Sequence, residues 1–251
     1  MLVSFVVPAH DEELHVGRCI DAIRAAAVAL GLQSEIVVVD DASRDRTAEI
    51  ARERGAALVR VEHRQIARTR NAGARAARGD VLVFVDADTE TTADILREML
   101  AALRAGAVGG GALVRFDGSI PLWGKALAAA FLATFRVLRL ASGAFMFCTR
   151  EAFAAAGGFD ERLFGAEEVH FVWALKRAGT FTLLAGTVVT SARKLRTHSL
   201  SEVVGGLSRV ALRGKRAGRG RHGLDLWYGE RRIDPAGPAA VAPGAGSTSS
   251  H

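Results

Sequence analysis

The sequence predicts an α/β protein, a mostly parallel sheet with helices on both faces. Three observations carry that prediction. Short β-branched runs alternate with amphipathic stretches through residues 1–105. Three of those runs end in carboxylates. The composition, 49% hydrophobic and 24% charged over 251 residues, supports one sizeable core.

The elements follow in order. Leu2 to Val7 reads as a strand ended by Pro8. Asp11 is placed to cap a helix reaching about Leu30, with Val16, Cys19, Ile20 and Ile23 as its apolar stripe. Glu35 to Val39 is a second strand. Ser43 or Asp45 caps a helix that stops at Gly55. Ala57 to Val61 is a third strand, Ile66 to Arg78 a helix stopped by Gly79, Val81 to Val85 a fourth strand, and Thr92 to Ala105 a further helix. Repeated β-α units of this length favour parallel pairing.

The second half is less regular. Ala107 to Phe116 reads as a strand with a glycine-rich start, Leu122 to Leu140 as an amphipathic helix carrying Lys125, Arg136 and Arg139, and Phe145 to Thr149 as a short strand. Glu167 to Ala178 is helical, with Trp173 in its apolar spacing beside Val169 and Val172, and so expected in the core. Phe181 to Leu184 and Val188 to Ser191 are strand-like. Residues 201–234 form a basic helical segment, and 235–251, rich in Pro, Gly, Ala and Ser, read as a disordered tail.

The two cysteines, Cys19 and Cys148, have no metal-ligand spacing and sit in apolar segments, which suits a reducing compartment. Acids at 11–13 interrupt any leader-like run, and Ala178 to Ala192 is too short for the roughly 20 residues of a membrane span. The expected location is cytoplasmic. The net charge of +6 is uneven: no acid falls between Val203 and Leu224, where Arg209, Arg213, Lys215, Arg216, Arg219, Arg221 and His222 lie. A solvated tail, an anionic membrane face and a phosphorylated substrate are all compatible with that run. The lack of interleaved aromatics argues against nucleic acid.

The chemistry concentrates at strand ends. Strand one ends in Pro8-Ala9-His10-Asp11-Glu12-Glu13, strand two in Asp40-Asp41-Ala42-Ser43, and strand four in Asp86-Ala87-Asp88. Ligands of open α/β sheets bind outside the carboxyl ends of strands. An acid-x-acid triplet alone equally describes a solvated loop. Three acidic loops on one edge repel one another unless a cation balances them. Hard Mg²⁺ or Mn²⁺ carrying a diphosphate fits, because such ions take oxygen ligands and keep positions for phosphate.

Together with R-N-A-G-A-R-A-A-R-G-D before strand four, G-G-F-D-E at 157–161 and A-E-E at 166–168, these motifs resemble the family 2 glycosyltransferases from Val3 to about Leu200. The resemblance implies the GT-A (Rossmann-like) fold, with 1–105 as the nucleotide-sugar-binding half and 106–200 as the acceptor-binding half. It implies a UDP- or GDP-sugar donor, a hydroxyl acceptor that is lipid-linked or a small molecule, and direct displacement with inversion. Pro8, Ala9 and Glu12 would line the nucleotide pocket, Asp40 or Asp41 would meet the base, and Arg70 and Asn71 would lie near the diphosphate. Asp86 would face the ribose or the metal, Asp88 would bind the metal, and His198 would return to it. Glu168 would be the general base, supported by Glu167; the family usually has Glu-Asp here. Apart from the resemblance, the basic run of Arg193, Lys194 and Arg196 reads either as a loop that closes over the diphosphate on donor binding or as a solvated loop.

Two other readings remain at this point. A nucleotidyltransferase would want a glycine-rich basic loop where Pro8 to Glu13 is acidic. A non-catalytic scaffold would bind polyanions through Arg209 to Arg221. The basic apolar helix at 122–140 and this same run leave peripheral contact with the inner membrane face as a further expectation.

Overall fold

The computed structural model describes residues 1–217 together with 228, 229, 232 and 234. Expectations for the tail at 235–251 and for the side chains of Arg213, Lys215, Arg216, Arg219, Arg221 and His222 lie outside the described residues.

The first strands form a parallel unit. Strand β1 (Val3–Ala9) pairs with β2 (Ser34–Asp41) from Val3↔Ser34 to Ala9↔Asp40. Strand β3 (Ala57–Val61) pairs with β2, and β4 (Val81–Val85) pairs with β1 as far as Val6↔Phe84. All four strands are therefore in parallel, and their carboxyl ends share one edge. Strand β1 runs on through Pro8 instead of stopping there. Its pairing with β4 ends at Val6, so a residue without N–H falls where that side of the strand is open.

Helix α1 (Val16–Ala29) starts later than expected. Asp11 is not its cap: it adopts φ 50° in the preceding loop, and His15 occupies the cap position. Helix α2 is Thr47–Glu53; Asp45 Oδ1 accepts from the Thr47 N–H, and Gly55 follows with φ 65°. Helix α3 is Ile66–Ala76. After β4 comes a two-residue strand β5 (Thr89–Glu90), then α4 (Ala93–Arg104), whose cap Thr92 accepts from the Ile95 N–H.

The second half completes one sheet of order β3-β2-β1-β4-β7-β6-β8-β5. Strand β6 is Gly109–Phe116, α5 is Leu122–Val137, and β7 (Phe145–Thr149) inserts antiparallel between β4 and β6. A Cβ at Gly110 would run into the Thr182 carbonyl and the Phe147 ring, so the glycine run permits this close strand packing. Helix α6 (Arg150–Ala156) was not anticipated; α7 is Glu167–Ala178. The two late strand-like segments are one strand, β8 (Phe181–Thr190), parallel to β6 with a register shift. Short α8 (Arg193–Thr197) and α9 (Leu200–Ala217) follow.

Apolar clusters fill both faces of the sheet. One gathers Val16, Ile20, Ile23, Ile95 and Met99 from α1 and α4 over Phe5, Val83 and Phe147. The other gathers Ala67, Ala74, Phe159, Phe171 and Leu175 over Phe84 and Met146. Trp173 is not in the core: it is 45% exposed, because α7 turns Phe171, Val172 and Leu175 inward. Cys19 and Cys148 are buried and unpaired, as small core residues are. Among the described residues no helix is long and apolar enough to cross a membrane.

Candidate active site

The acidic loops after β1 and β2 are laced together. Asp11, Glu12 and Glu13 each give a backbone N–H to the opposing loop: to Ser43 Oγ at 3.0 Å, Thr47 Oγ1 at 2.7 Å and Asp45 Oδ2 at 3.0 Å. In return Asp11 accepts from the Arg44 N–H and Glu13 from the Arg46 N–H. This lacing absorbs much of the negative charge in hydrogen bonds and fixes Glu12, which is buried.

Asp41 is buried and committed to the segment entering α3. Its Oδ1 accepts from the N–H groups of His63 and Arg64, both at 2.7 Å, and its Oδ2 from the Gln65 N–H at 3.1 Å and Thr69 Oγ1 at 2.7 Å. Asp40 accepts from the Ser43 N–H at 3.2 Å and has Arg60 at 3.7 Å. Pro8 and Ala9 form the end of β1, and Ala9 registers opposite Asp40.

Strand β4 delivers Asp86 and Asp88. Pairing of Thr89 with Thr190 then draws Asp88 against the end of β8: the Ser191 N–H donates to its carbonyl, and Thr190 Oγ1 to its Oδ1 at 3.3 Å. Burial and the nearby charge of Asp88 hold the Asp86 carboxyl above its ordinary range, against the pull of Arg70.

Arg70 lies at the centre, 3% exposed. Its Nη1 donates to Glu167 at 2.9 Å and its Nη2 to Asp86 at 2.9 Å and to the Gly143 carbonyl at 3.1 Å. The guanidinium carbon stands 5.2 Å from the Phe159 ring centroid. Arg70 thus ties the strand-four carboxylate to the acid pair. Asn71, expected near the diphosphate, presents no free amide: its Nδ2 donates to the Phe159 carbonyl and Glu161, and its Oδ1 accepts from the Phe159 N–H. It clamps the Gly157-Gly158-Phe159 turn beneath α7.

Glu167 and Glu168 occupy the first turn of α7, where the helix dipole favours anions. Burial, then the charge of Glu167, nevertheless push the Glu168 carboxyl up to about 8. His198 ends α8 with its Nδ1 3.0 Å from Thr197 Oγ1. It does not join Asp86 and Asp88: among the described residues no three His, Cys, Asp or Glu side chains converge as a metal cage.

A divalent cation is still chemically suited to the strand-four acids. Asp86 and Asp88 offer oxygen donors only, and a guanidinium already lies against Asp88, so that position accepts positive charge. Two carboxylates with further coordination left to phosphate is the usual Mg²⁺ pattern.

The sequence reading missed His15 and Gly143. His15 lines a small cleft with Arg18, Cys19, Asp88 and Asp117, and burial followed by the Arg193 charge lowers its pKa. A Cβ at Gly143 would lie 2.8 Å from Arg70 Nη2. Neither residue sits in a motif, and only the fold brings them to the site.

Solved structures share this architecture. The mannosyltransferase PcManGT of Pyrobaculum calidifontis, in complex with GDP-Man and Mn²⁺, superposes with a TM-score of 0.63 at 22% identity, over 85% of this chain and 62% of that one. TarS of S. aureus in complex with UDP-GlcNAc gives 0.61 at 17% identity, over 85% and 67%. These likenesses show the fold, the GT-A arrangement. Among curated proteins, the undecaprenyl-phosphate 4-deoxy-4-formamido-L-arabinose transferase of Pseudomonas aeruginosa is 40% identical over 100 residues, which is 36% of this chain and 28% of that protein. The chain spans little more than a quarter of the length of that relative. The profile described as Glycosyl transferase family 2 matches residues 4–156, more than half of the chain, and the chain belongs to that family.

Proposed function

We propose that this chain moves a sugar from a nucleotide-diphosphate donor to an acceptor oxygen, with a divalent cation, inverting the anomeric carbon. One observation carries the reading. Carboxylates from the β1 loop, the β4 end and the start of α7 form two ion-pair clusters, Glu12–Arg193–Asp88 and Asp86–Arg70–Glu167, which adjoin at the end of β4 where Asp86 and Asp88 stand two positions apart.

The roles divide along those clusters. The donor side is the laced loop pair with Pro8, Ala9, Glu12, Asp40 and Asp41, together with Asp86 and Asp88. When bound, Mn²⁺ or Mg²⁺ would be held by Asp88 and Asp86 and would neutralise charge on the departing diphosphate. The relatives solved with Mn²⁺, UDP-GlcNAc and GDP-Man support a cation and a UDP- or GDP-sugar. Arg70 pairs the half-buried Asp86 with the buried Glu167, so Glu167 is not left as an uncompensated buried charge. Glu168 accepts the acceptor hydroxyl proton while that oxygen bonds to C1 and the C1–O bond to the diphosphate breaks. A carboxylate with a raised pKa is a stronger base once ionised.

The Pseudomonas relative favours one variation. Its name specifies a lipid phosphate, whose oxygen is already ionised. Such an acceptor would need no base, and a protonated Glu168 would instead donate a hydrogen bond to it.

The test is to incubate UDP- and GDP-sugars with Mn²⁺, hydroxyl acceptors and a polyprenyl phosphate, and to follow nucleoside diphosphate release. Asp88→Ala should lower release at least about a hundredfold. Equal release by both proteins, or none with any donor, defeats the proposal. Glu168→Gln separates the acceptors: it abolishes transfer to a hydroxyl and spares transfer to a phosphate.

A further inference from the structure

We infer that Arg193 is a built-in counter-ion of the donor site, which must give up Asp88 when a cation binds and then turns its charge to the diphosphate. The inference rests on the transferase reading above.

The geometry is specific. Arg193 Nη1 donates to Glu12 Oε2 at 2.7 Å, and Nη2 donates to the other Glu12 oxygen, a bidentate fork. The same Nη2 lies 3.1 Å from Asp88 Oδ2. All three side chains are withdrawn from water, at 13%, 5% and 15% exposure for Arg193, Glu12 and Asp88. One guanidinium thus spans the ends of β1 and β4, the two elements expected to hold nucleotide and metal. Screening by solvent is weak there, so like charges cannot share the position.

The bridge is firm but incomplete. Arg193 Nε is buried without a hydrogen-bond partner, so the arrangement leaves a donor that a further acceptor would satisfy. The backbone beneath it is anchored. Leu195 is buried, Arg196 donates to Asp117 and Asp234, and the Ala192 N–H donates to Asp117 Oδ1 at 2.8 Å. Exchange therefore calls for a swing of one long side chain, not for opening of α8. Diphosphate oxygens offer the guanidinium a bidentate acceptor to replace the carboxylate it leaves.

Cation and diphosphate binding should consequently be coupled. The cation alone competes with Arg193 for Asp88. A diphosphate arriving with the cation gives Arg193 another partner and removes that competition.

The experiment titrates Mn²⁺ into the full chain and reads free Mn²⁺ by electron paramagnetic resonance, with and without UDP or GDP. Thermal melting verifies that each variant is folded. Arg193→Gln should bind Mn²⁺ without nucleotide at least about tenfold more tightly than wild type, since a neighbouring positive charge is gone. Its gain in Mn²⁺ affinity on adding nucleotide should shrink by a similar factor. Arg193→Lys, which keeps the charge and loses the fork, should stay near wild type without nucleotide, and it carries the comparison if the glutamine variant does not fold: Mn²⁺ bound tenfold tighter by the lysine variant would overturn the assignment. So would a folded glutamine variant with unchanged or weaker nucleotide-free affinity. A wild type indifferent to both nucleotides, beside a glutamine variant that binds Mn²⁺ more tightly, defeats the transferase reading while upholding the competition at Asp88.

Discussion

Arg70 Nη1 donates to Glu167 Oε1 at 2.9 Å, joining residues 97 positions apart across the interior. Replacing Arg70 with Ala would leave Glu167 and Asp86 without their buried cation. Breaking such a pair destabilises by about 3–5 kcal/mol. Arg70→Lys keeps the charge but has one ammonium where two separated carboxylates are held by a fork. The lysine variant should fold with reduced kcat and a KM closer to wild type. Denaturant midpoints and steady-state kinetics decide it; an alanine variant as stable as wild type contradicts the central role of this arginine.

Asp41 accepts from three backbone N–H groups and one hydroxyl in the segment entering α3. Asp41→Ala strands two buried donors, the Gln65 N–H and Thr69 Oγ1, and two part-buried ones, the N–H groups of His63 and Arg64, at about 1–3 kcal/mol for each buried group left unsatisfied. We expect a loss of at least about 3 kcal/mol in urea unfolding. A smaller loss with strongly weakened nucleotide binding would show that the carboxylate serves the base and not the turn.

The sheet edge was legible because its signals are local. Val81 to Val85 followed by two acids announces both a buried strand and a charged end, and β3, β4 and β7 fall where their apolar runs lie. The short elements were not legible. Strand β5 exists only because Thr89 and Glu90 meet β8, and α8 has no stripe of its own. The roles of Arg70, Asn71 and Arg193 depend on partners about 90 or more positions away, beyond any periodicity. Asp11 misled for a related reason: it has the chemistry of a helix cap, but the opposing loop takes its carboxylate.

Gly73 sets how closely α3 approaches the sheet. A Cβ there would collide with Val6 on β1 and lie 2.8 Å from Val39 Cγ2 on β2. Gly73→Ala should cost about 1–3 kcal/mol, despite the better helix propensity of Ala. Because α3 also carries Arg70, activity should fall even below the melting transition. Thermal unfolding and activity at 25 °C check this together, and a stabilised, fully active variant would mean the helix has room to move.

Glu168 couples stability to pH, and the sign is determined by its raised folded-state pKa of about 8. An unfolded glutamate ionises near 4.3. Between those values the folded state holds the extra proton, so this residue's contribution is complete below about pH 4 and is lost as pH rises through 8. Wild type should therefore lose stability relative to Glu168→Gln on going from pH 5 to pH 8.5, by roughly 2–4 °C in melting temperature for each kcal/mol involved. Transfer to a hydroxyl acceptor should move the opposite way, increasing with pH over the same interval as the base ionises. Paired melting curves and initial rates across that range test both halves. A melting difference that is flat with pH rules out the buried, protonated carboxyl, whatever the rates do.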